Sequence, residues 1–133
     1  MIFGGNYFIE NLTNTSCMIV WDKDNSGNFA DAELIWTSFQ TSVRIFRFRW
    51  NGMLQENMRW KEKRLHPTQK PIELFRWILK RYAKAGDKIC DPFMGSGTTI
   101  LACKQLGLDC IAIDINPDYV AIAKKRLQQE ILI

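Results

Sequence analysis

The segment Asp91-Pro92-Phe93-Met94-Gly95-Ser96-Gly97-Thr98-Thr99 constrains this chain more than any other. It follows a short strand pattern, Lys88–Cys90, and opens a helical pattern from Thr98 to Leu106 that stops at Gly107. Glycines at a strand-to-helix turn let the backbone approach a ligand and put a helix N-terminus beside it. About 20 residues further on, a second apolar run, Asp109–Ile113, ends in Asp114, where a carboxylate is placed to accept hydrogen bonds from ribose hydroxyls. The pattern points to an adenosine-type cofactor at the C-terminal edge of a sheet. A purely structural strand, turn and helix fits the same residues.

Three ligands compete for such a turn. A Walker nucleotide loop needs Gly-Lys-Ser/Thr, whereas Gly97 is followed by Thr98 and Thr99. A dinucleotide fingerprint needs a third glycine where Ile100 stands. S-adenosylmethionine carries no phosphate, so its loop need not be built around an anion. Asp91 is placed to meet its ammonium or an ordered water.

The surrounding pattern is α/β. Pro71 suits a first helical position. Ile72, Phe75, Leu79 and Tyr82 then recur on one face, with Leu74 and Ile78 beside them. Glu73, Arg76, Lys80 and Arg81 take the other side, and the helix is expected to end near Gly86. Asn116-Pro117 turns the chain into a last helix with Tyr119, Ile122, Ala123 and Leu127 on or near its apolar stripe. Helix, strand, helix, strand, helix implies a parallel sheet with right-handed crossovers.

The part before His66 reads as β-rich. Ile2-Phe3 and Cys17–Trp21 are expected strands, and Ala30–Thr37 is expected to form one or two helical turns. The polar stretch Asp22–Asn28, containing Ser26-Gly27, reads as a loop, and Asn51-Gly52 as a turn. Val43–Trp50 largely alternates apolar and basic residues and reads as a strand, without showing which face is buried. Met53–Leu65 is polar and reads as a mobile loop. The division falls at residues 1–65 and 66–133.

Composition narrows the class. At 133 residues, 47% hydrophobic and 24% charged, the chain is long enough for one small domain with a core and is not of disordered type. No apolar run reaches membrane-spanning length, and residues 1–6 lack a signal-peptide pattern, so a cytoplasmic protein is expected. Cys17, Cys90, Cys103 and Cys110 form no C-x-x-C pair and His66 is the one histidine, so no metal site is expected and the thiols read as buried and reduced. The net charge of +4 is a weak pointer to a polyanion. Its distribution says more: Arg44, Arg47, Arg49, Arg59, Lys61, Lys63 and Arg64 interleave with Phe46, Phe48, Trp50 and Trp60. Cations meet phosphates and aromatic faces meet bases. An ordinary strand followed by a solvated loop reads the same way.

The Asp91–Thr99 turn resembles the cofactor loop of the DNA adenine-N6 and cytosine-N4 amino-methyltransferases. His66-Pro67-Thr68-Gln69-Lys70-Pro71 resembles the segment that precedes that loop in their circularly permuted class. Gly4–Phe8, Trp21–Lys23, Ala30–Leu34, Trp36–Phe39 and Arg47–Asn51 resemble a phage and bacterial adenine-specific branch. The resemblance implies a partial Rossmann-like methyltransferase domain over 1–133. It implies a seven-stranded, mostly parallel sheet with one antiparallel strand near an edge. Residues 1–65 would form a β-rich, target-side half with a basic loop, and 66–133 the cofactor half. Asp91, Phe93, Gly95, Gly97 and Thr98 would line S-adenosylmethionine, Asp114 would hold its ribose, and His66, Thr68 and Lys70 would lie near its methionine end. Double-stranded DNA is the implied partner, with Arg44, Arg47, Arg49, Arg59 and Lys61 as the candidate contacts.

The resemblance also implies something that the sequence lacks. Such enzymes flip the target base out of the duplex and hold its amine with Asp/Asn/Ser-Pro-Pro-Tyr/Phe. The prolines here are Pro67, Pro71, Pro92 and Pro117, and no two are adjacent. No catalytic residue is therefore assigned, and the chain alone is expected to be inactive. In the permuted class the catalytic loop precedes the residues seen here. A truncated or fragmentary chain fits this, and so does a second polypeptide supplying the loop. The missing strand belongs between Lys88–Cys90 and Ile2-Phe3, so marginal stability or self-association is expected.

Overall fold

The computed structural model describes residues 1–25, 28–51 and 53–129 and divides into two compact units, Met1–Lys61 and Glu62–Ile133. Ser26-Gly27 and Gly52, read above as loop and turn residues, lie outside the described residues.

In the first unit, strands β1 (Ile2–Phe3), β2 (Met18–Asp22), β3 (Ala32–Trp36) and β4 (Arg44–Arg47) form one sheet in the order β1-β3-β2-β4. β3 runs antiparallel to both β1 and β2, and β2 runs parallel to β4. Three strands therefore share a direction, and the one reversed strand is second from an edge. Cys17, Ile19, Trp21 and Ile35 are buried, and the indole N–H of Trp21 donates to the Phe48 carbonyl at 3.1 Å. Thr37, fully buried, donates its hydroxyl to the Cys17 carbonyl at 2.6 Å, which satisfies a polar group inside the core.

The helical turns read over Ala30–Thr37 are corrected by β3. Ala32, Glu33 and Leu34 favour helix locally, but both edges of the segment find ladder partners, and Ile35 packs opposite Ile19. The facing of the Val43–Trp50 stretch is settled as well. Phe46 and Phe48 stack at 5.8 Å and are half-buried, whereas Val43 and Ile45 are exposed. Within Met53–Leu65, Leu54–Gln55 (β6) pairs antiparallel with Trp50–Asn51 (β5), so that stretch begins as a short hairpin arm.

The second unit holds α1 (Ile72–Tyr82), β7 (Lys88–Asp91), α2 (Thr98–Leu106), β8 (Asp109–Ala112) and α3 (Pro117–Gln129). β7 and β8 are parallel, with Asp91 opposite Ala112 at their C-terminal ends. Pro71 caps α1 from just outside it, with extended backbone. Leu79, Ala102 and Cys103 are buried against Ile89 and Cys110, so α1 and α2 cover one face of the strand pair. On the other face Ile111 is 59% and Ile113 52% exposed, unusual for parallel strands, and the expectation of buried thiols is corrected at Cys90, which is exposed because it faces away from α1 and α2. Gly107 ends α2 at φ +66°, where the Leu108 N–H returns to the Cys103 carbonyl at 2.9 Å. Among the described residues no helix is long and apolar enough to cross a membrane.

Candidate functional site

The chain leaves β7 at Asp91, turns through Gly95 and Gly97 and enters α2 at Thr98. Asp91 shapes the first part of the turn: one carboxylate oxygen accepts the Phe93 N–H at 3.0 Å, and the other accepts the Thr99 hydroxyl. The Met94 N–H donates to the Ile113 carbonyl at 2.9 Å, which ties the turn to the end of β8. The Gly95 N–H donates to Asp114 Oδ2 at 2.9 Å, and Asp114 Oδ1 accepts the Asn116 N–H at 2.9 Å. The Gly97 N–H donates to the Met94 carbonyl at 2.9 Å. The amides of residues 93, 94, 95 and 97 are thus engaged by protein oxygens. An anion-binding nest would need such amides aimed outward.

Both turn glycines are required by geometry. Gly97 has φ +83°, and a Cβ there would lie 2.6 Å from the Ala123 Cβ on α3. Gly95 has φ +51°, and a Cβ there would meet the His66 ring at 3.3 Å. His66 therefore rests directly on the turn. Its ring also meets Tyr119 of α3, with centroids 4.4 Å apart. The Thr68 N–H donates to His66 Nδ1 at 3.2 Å, and the Thr68 hydroxyl lies 3.1 Å from the same atom. A backbone N–H can only donate, so Nδ1 is an acceptor and Nε2 carries the proton of the neutral ring.

Of the residues read as cofactor-binding, Asp91, Gly95, Gly97, Thr98, Asp114, His66 and Thr68 converge around this turn. Phe93 sits at its tip, 88% exposed. Lys70 lies half-buried in the segment that carries His66. In the other unit, Arg47 pairs with Asp22 at 2.8 Å and Arg49 with Asp24, while Arg59 lies over the Trp60 ring at 5.6 Å. Arg44 and Lys61 are exposed. The Asp24 amide and Arg47 hold the Asp22 carboxyl below its ordinary range.

Glu62, Gln69, Ser96 and Arg126 were missed by the sequence reading. Gln69, 6% exposed, accepts the Leu65 N–H and the Ser96 hydroxyl through Oε1, both at 2.9 Å. Its Nε2 donates to Glu62 Oε1 at 2.9 Å and to the Lys63 carbonyl at 3.0 Å. Arg126 donates to the Ser96 carbonyl at 2.8 Å and to Glu62 Oε1 at 3.1 Å. Burial pushes the Glu62 carboxyl up, against the Ile72 N–H and Arg126, which pull it down. One signal was available: Arg126 follows Tyr119 and Ala123 at helical spacing, a cation on an apolar stripe. Among the described residues no cluster of three or more His, Cys, Asp or Glu side chains could hold a metal ion.

Comparison with known proteins places this geometry. The sequence profile of the N6/N4 methyltransferases, described as DNA methylase, matches residues 11–125. The type II methyltransferase M2.DpnII of Streptococcus pneumoniae is 46% identical over 82 residues, 61% of this chain and 30% of that protein. The type II methyltransferase M2.LlaDCHI of Lactococcus lactis subsp. cremoris is 44% identical over 121 residues, 88% of this chain and 44% of that protein. The chain therefore spans less than half the length of these relatives. The crystal structure of the M1.HpyAVI–SAM complex superposes with a TM-score of 0.61 at 28% identity, covering 91% of this chain and 66% of that one. Its mixed α/β architecture with parallel strands is part of the Rossmann-like fold of S-adenosylmethionine-dependent methyltransferases, and the chain belongs to the N6/N4 DNA methylase family.

Proposed function

We propose that this chain is the S-adenosylmethionine-binding part of a DNA adenine-N6 methyltransferase, cytosine N4 being the nearest alternative target, and that it does not transfer methyl groups alone. One observation carries the cofactor reading. The turn at the ends of β7 and β8 offers the carboxylates of Asp91 and Asp114, while the Phe93, Met94, Gly95 and Gly97 amides are engaged internally. Two carboxylates at the turn suit a ligand that brings hydrogen-bond donors. S-adenosylmethionine brings an ammonium and ribose hydroxyls, and each carboxylate oxygen keeps a lone pair after accepting one hydrogen bond. Asp114 holds the ribose, Asp91 the ammonium side, and His66, Thr68 and Lys70 the methionine end. Phe93, Gly95, Gly97 and Thr98 line the cofactor.

When bound, the cofactor supplies an electrophilic methyl group. These residues fix its orientation, and transfer to an exocyclic amine depends on aiming the nitrogen at that methyl. The loop that would hold the amine has no counterpart among these residues, since no two prolines are adjacent. A second reading follows: the chain is a non-catalytic subunit of a split methyltransferase, with the catalytic loop in a second chain. The exposed face of Ile111 and Ile113 supports a covering partner, and self-association would cover it too. Methyl transfer to DNA by the chain alone would overturn this reading. Transfer that appears only on adding a chain with Asp-Pro-Pro-Tyr is the expected result. The working compartment is the cytoplasm of a bacterial or phage-infected cell.

Calorimetric titration with S-adenosylmethionine tests the cofactor reading. Saturable binding is expected, and Asp114→Ala should weaken it at least about tenfold, the worth of a lost bond to a charged group. No binding by a folded chain, or equal binding by the variant, would refute it.

A further inference from the structure

We propose that Glu62, Gln69 and Arg126 form a latch that sets where His66 rests on the glycine turn, which makes them positioning residues for the cofactor site. The inference rests on the cofactor reading above, but its central contact is in the protein itself.

The turn needs a latch for a physical reason. Gly95 and Gly97 both have positive φ, so the segment between them has unusual backbone freedom before it is held. Ser96, between the two glycines, is 3% exposed, and its hydroxyl donates to Gln69 Oε1 at 2.9 Å. Arg126 Nη1 donates to the Ser96 carbonyl at 2.8 Å and reaches the Ser96 hydroxyl oxygen at 3.1 Å. The turn is therefore gripped by two side chains at Ser96.

The same groups set the His66 segment. Gln69 lies three residues after His66, and its N–H donates to the His66 carbonyl at 3.0 Å. Its side-chain amide cannot be reversed without setting NH₂ against the Leu65 N–H and oxygen against the Lys63 carbonyl. Glu62 closes the loop. Oε1 accepts from Gln69 and Arg126, and Oε2 accepts the Ile72 N–H at 3.0 Å, at the start of α1. α3 completes the grip along one face: Tyr119 meets the His66 ring, Ala123 lies beside Gly97, and Arg126 holds Ser96.

Stability alone is a poor explanation for this arrangement. Buried ion pairs are often no more stabilising than apolar groups of the same volume, whereas a fully bonded polar network fixes one geometry. Here that geometry is the seat of the His66 ring on Gly95.

The test uses the full chain, isotopically labelled, with Gln69→Leu, Arg126→Met and the gentler Ser96→Ala. Lys124→Met, exposed on α3, is the control. Ring nitrogen shifts of His66 report the Nε2–H tautomer and its bond to Thr68. Amide exchange at Gly95 and Gly97 reports the turn, and exchange at Leu101 reports whether α2 is intact. The variants at Gln69, Arg126 and Ser96 should all keep Leu101 protection, change the His66 ring shifts and bind S-adenosylmethionine about tenfold more weakly. Lys124→Met should match the parent throughout. Parent-like His66 shifts and affinity in both Ser96→Ala and Gln69→Leu would overturn the latch. A parent chain that binds no S-adenosylmethionine would sink the cofactor reading instead. The His66 shifts would then decide the latch: changed shifts support it, and unchanged shifts overturn it.

Discussion

Gly97 answers to two constraints at once, and they separate by mutation. Alanine there faces a left-handed backbone and a contact of 2.6 Å with the Ala123 Cβ. Gly107 has a similar φ of +66° but nothing within 4 Å of an added Cβ. Gly107→Ala should cost only the backbone term, about 1 kcal/mol, whereas Gly97→Ala should cost about 3 kcal/mol through overpacking as well. Urea denaturation of both variants checks this, and equal losses would show that α3 does not press on the turn. Burial, with Cys110 next to it, pushes the Cys103 thiol from an ordinary 9.0 up to about 12. At pH 8 this leaves about a thousandfold less thiolate than an ordinary cysteine has, before access is counted. Iodoacetamide should therefore label the exposed Cys90 and leave Cys103 unmodified in the native chain, as read by peptide mass spectrometry. Rapid native-state labelling of Cys103 would contradict its buried placement.

The elements show what local pattern can and cannot tell. α2 was legible in the sequence, from about Thr98 to Leu106, because a glycine marks each end. β3 was not, because its strand character comes from β1 and β2, which Ala32, Glu33 and Leu34 do not announce. The site divides the same way. The Asp91–Thr99 turn, Asp114 and His66 stand out in short motifs. Glu62 and Arg126 meet across 64 residues, and only the fold makes that pair visible. Glu62 makes the stability of the fold depend on pH. Its carboxyl faces Arg126, interacts with Arg64 and bonds to the first amide of α1, yet burial raises its pKa above the ordinary 4.5. The folded chain thus holds this proton to higher pH than the unfolded chain does. Its contribution is fully present below about 4.5 and is lost as pH rises through the folded value. Glu62→Gln removes that loss, so its stability relative to the parent should improve as pH climbs from 4.5 toward neutrality. Denaturation curves at several pH values measure this, and a difference independent of pH would contradict it.

Across the molecule, the candidate DNA contacts and the proposed cofactor turn fall in different units. Arg44, Arg47, Arg49, Arg59 and Lys61 belong to the unit Met1–Lys61, and the glycine turn to Glu62–Ile133. Arg47 is bonded to Asp22 yet its side chain is 73% exposed, so guanidinium donors stay open to phosphate. Replacing Arg47, Arg49 and Arg59 with glutamine should weaken duplex DNA binding regardless of sequence and flatten its salt dependence by about 0.9 per lost phosphate contact. A parental slope would remove these arginines from the interface. S-adenosylmethionine is proposed to sit at the turn between β7 and α2. Ultraviolet cross-linking of methyl-labelled S-adenosylmethionine to the full chain, followed by peptide mapping, tests it most directly. Saturable label is expected on peptides carrying Asp91–Thr99 or His66–Pro71, displaced by unlabelled cofactor and not by ATP. Label confined to the first unit, or no saturable label on a folded chain, would contradict it.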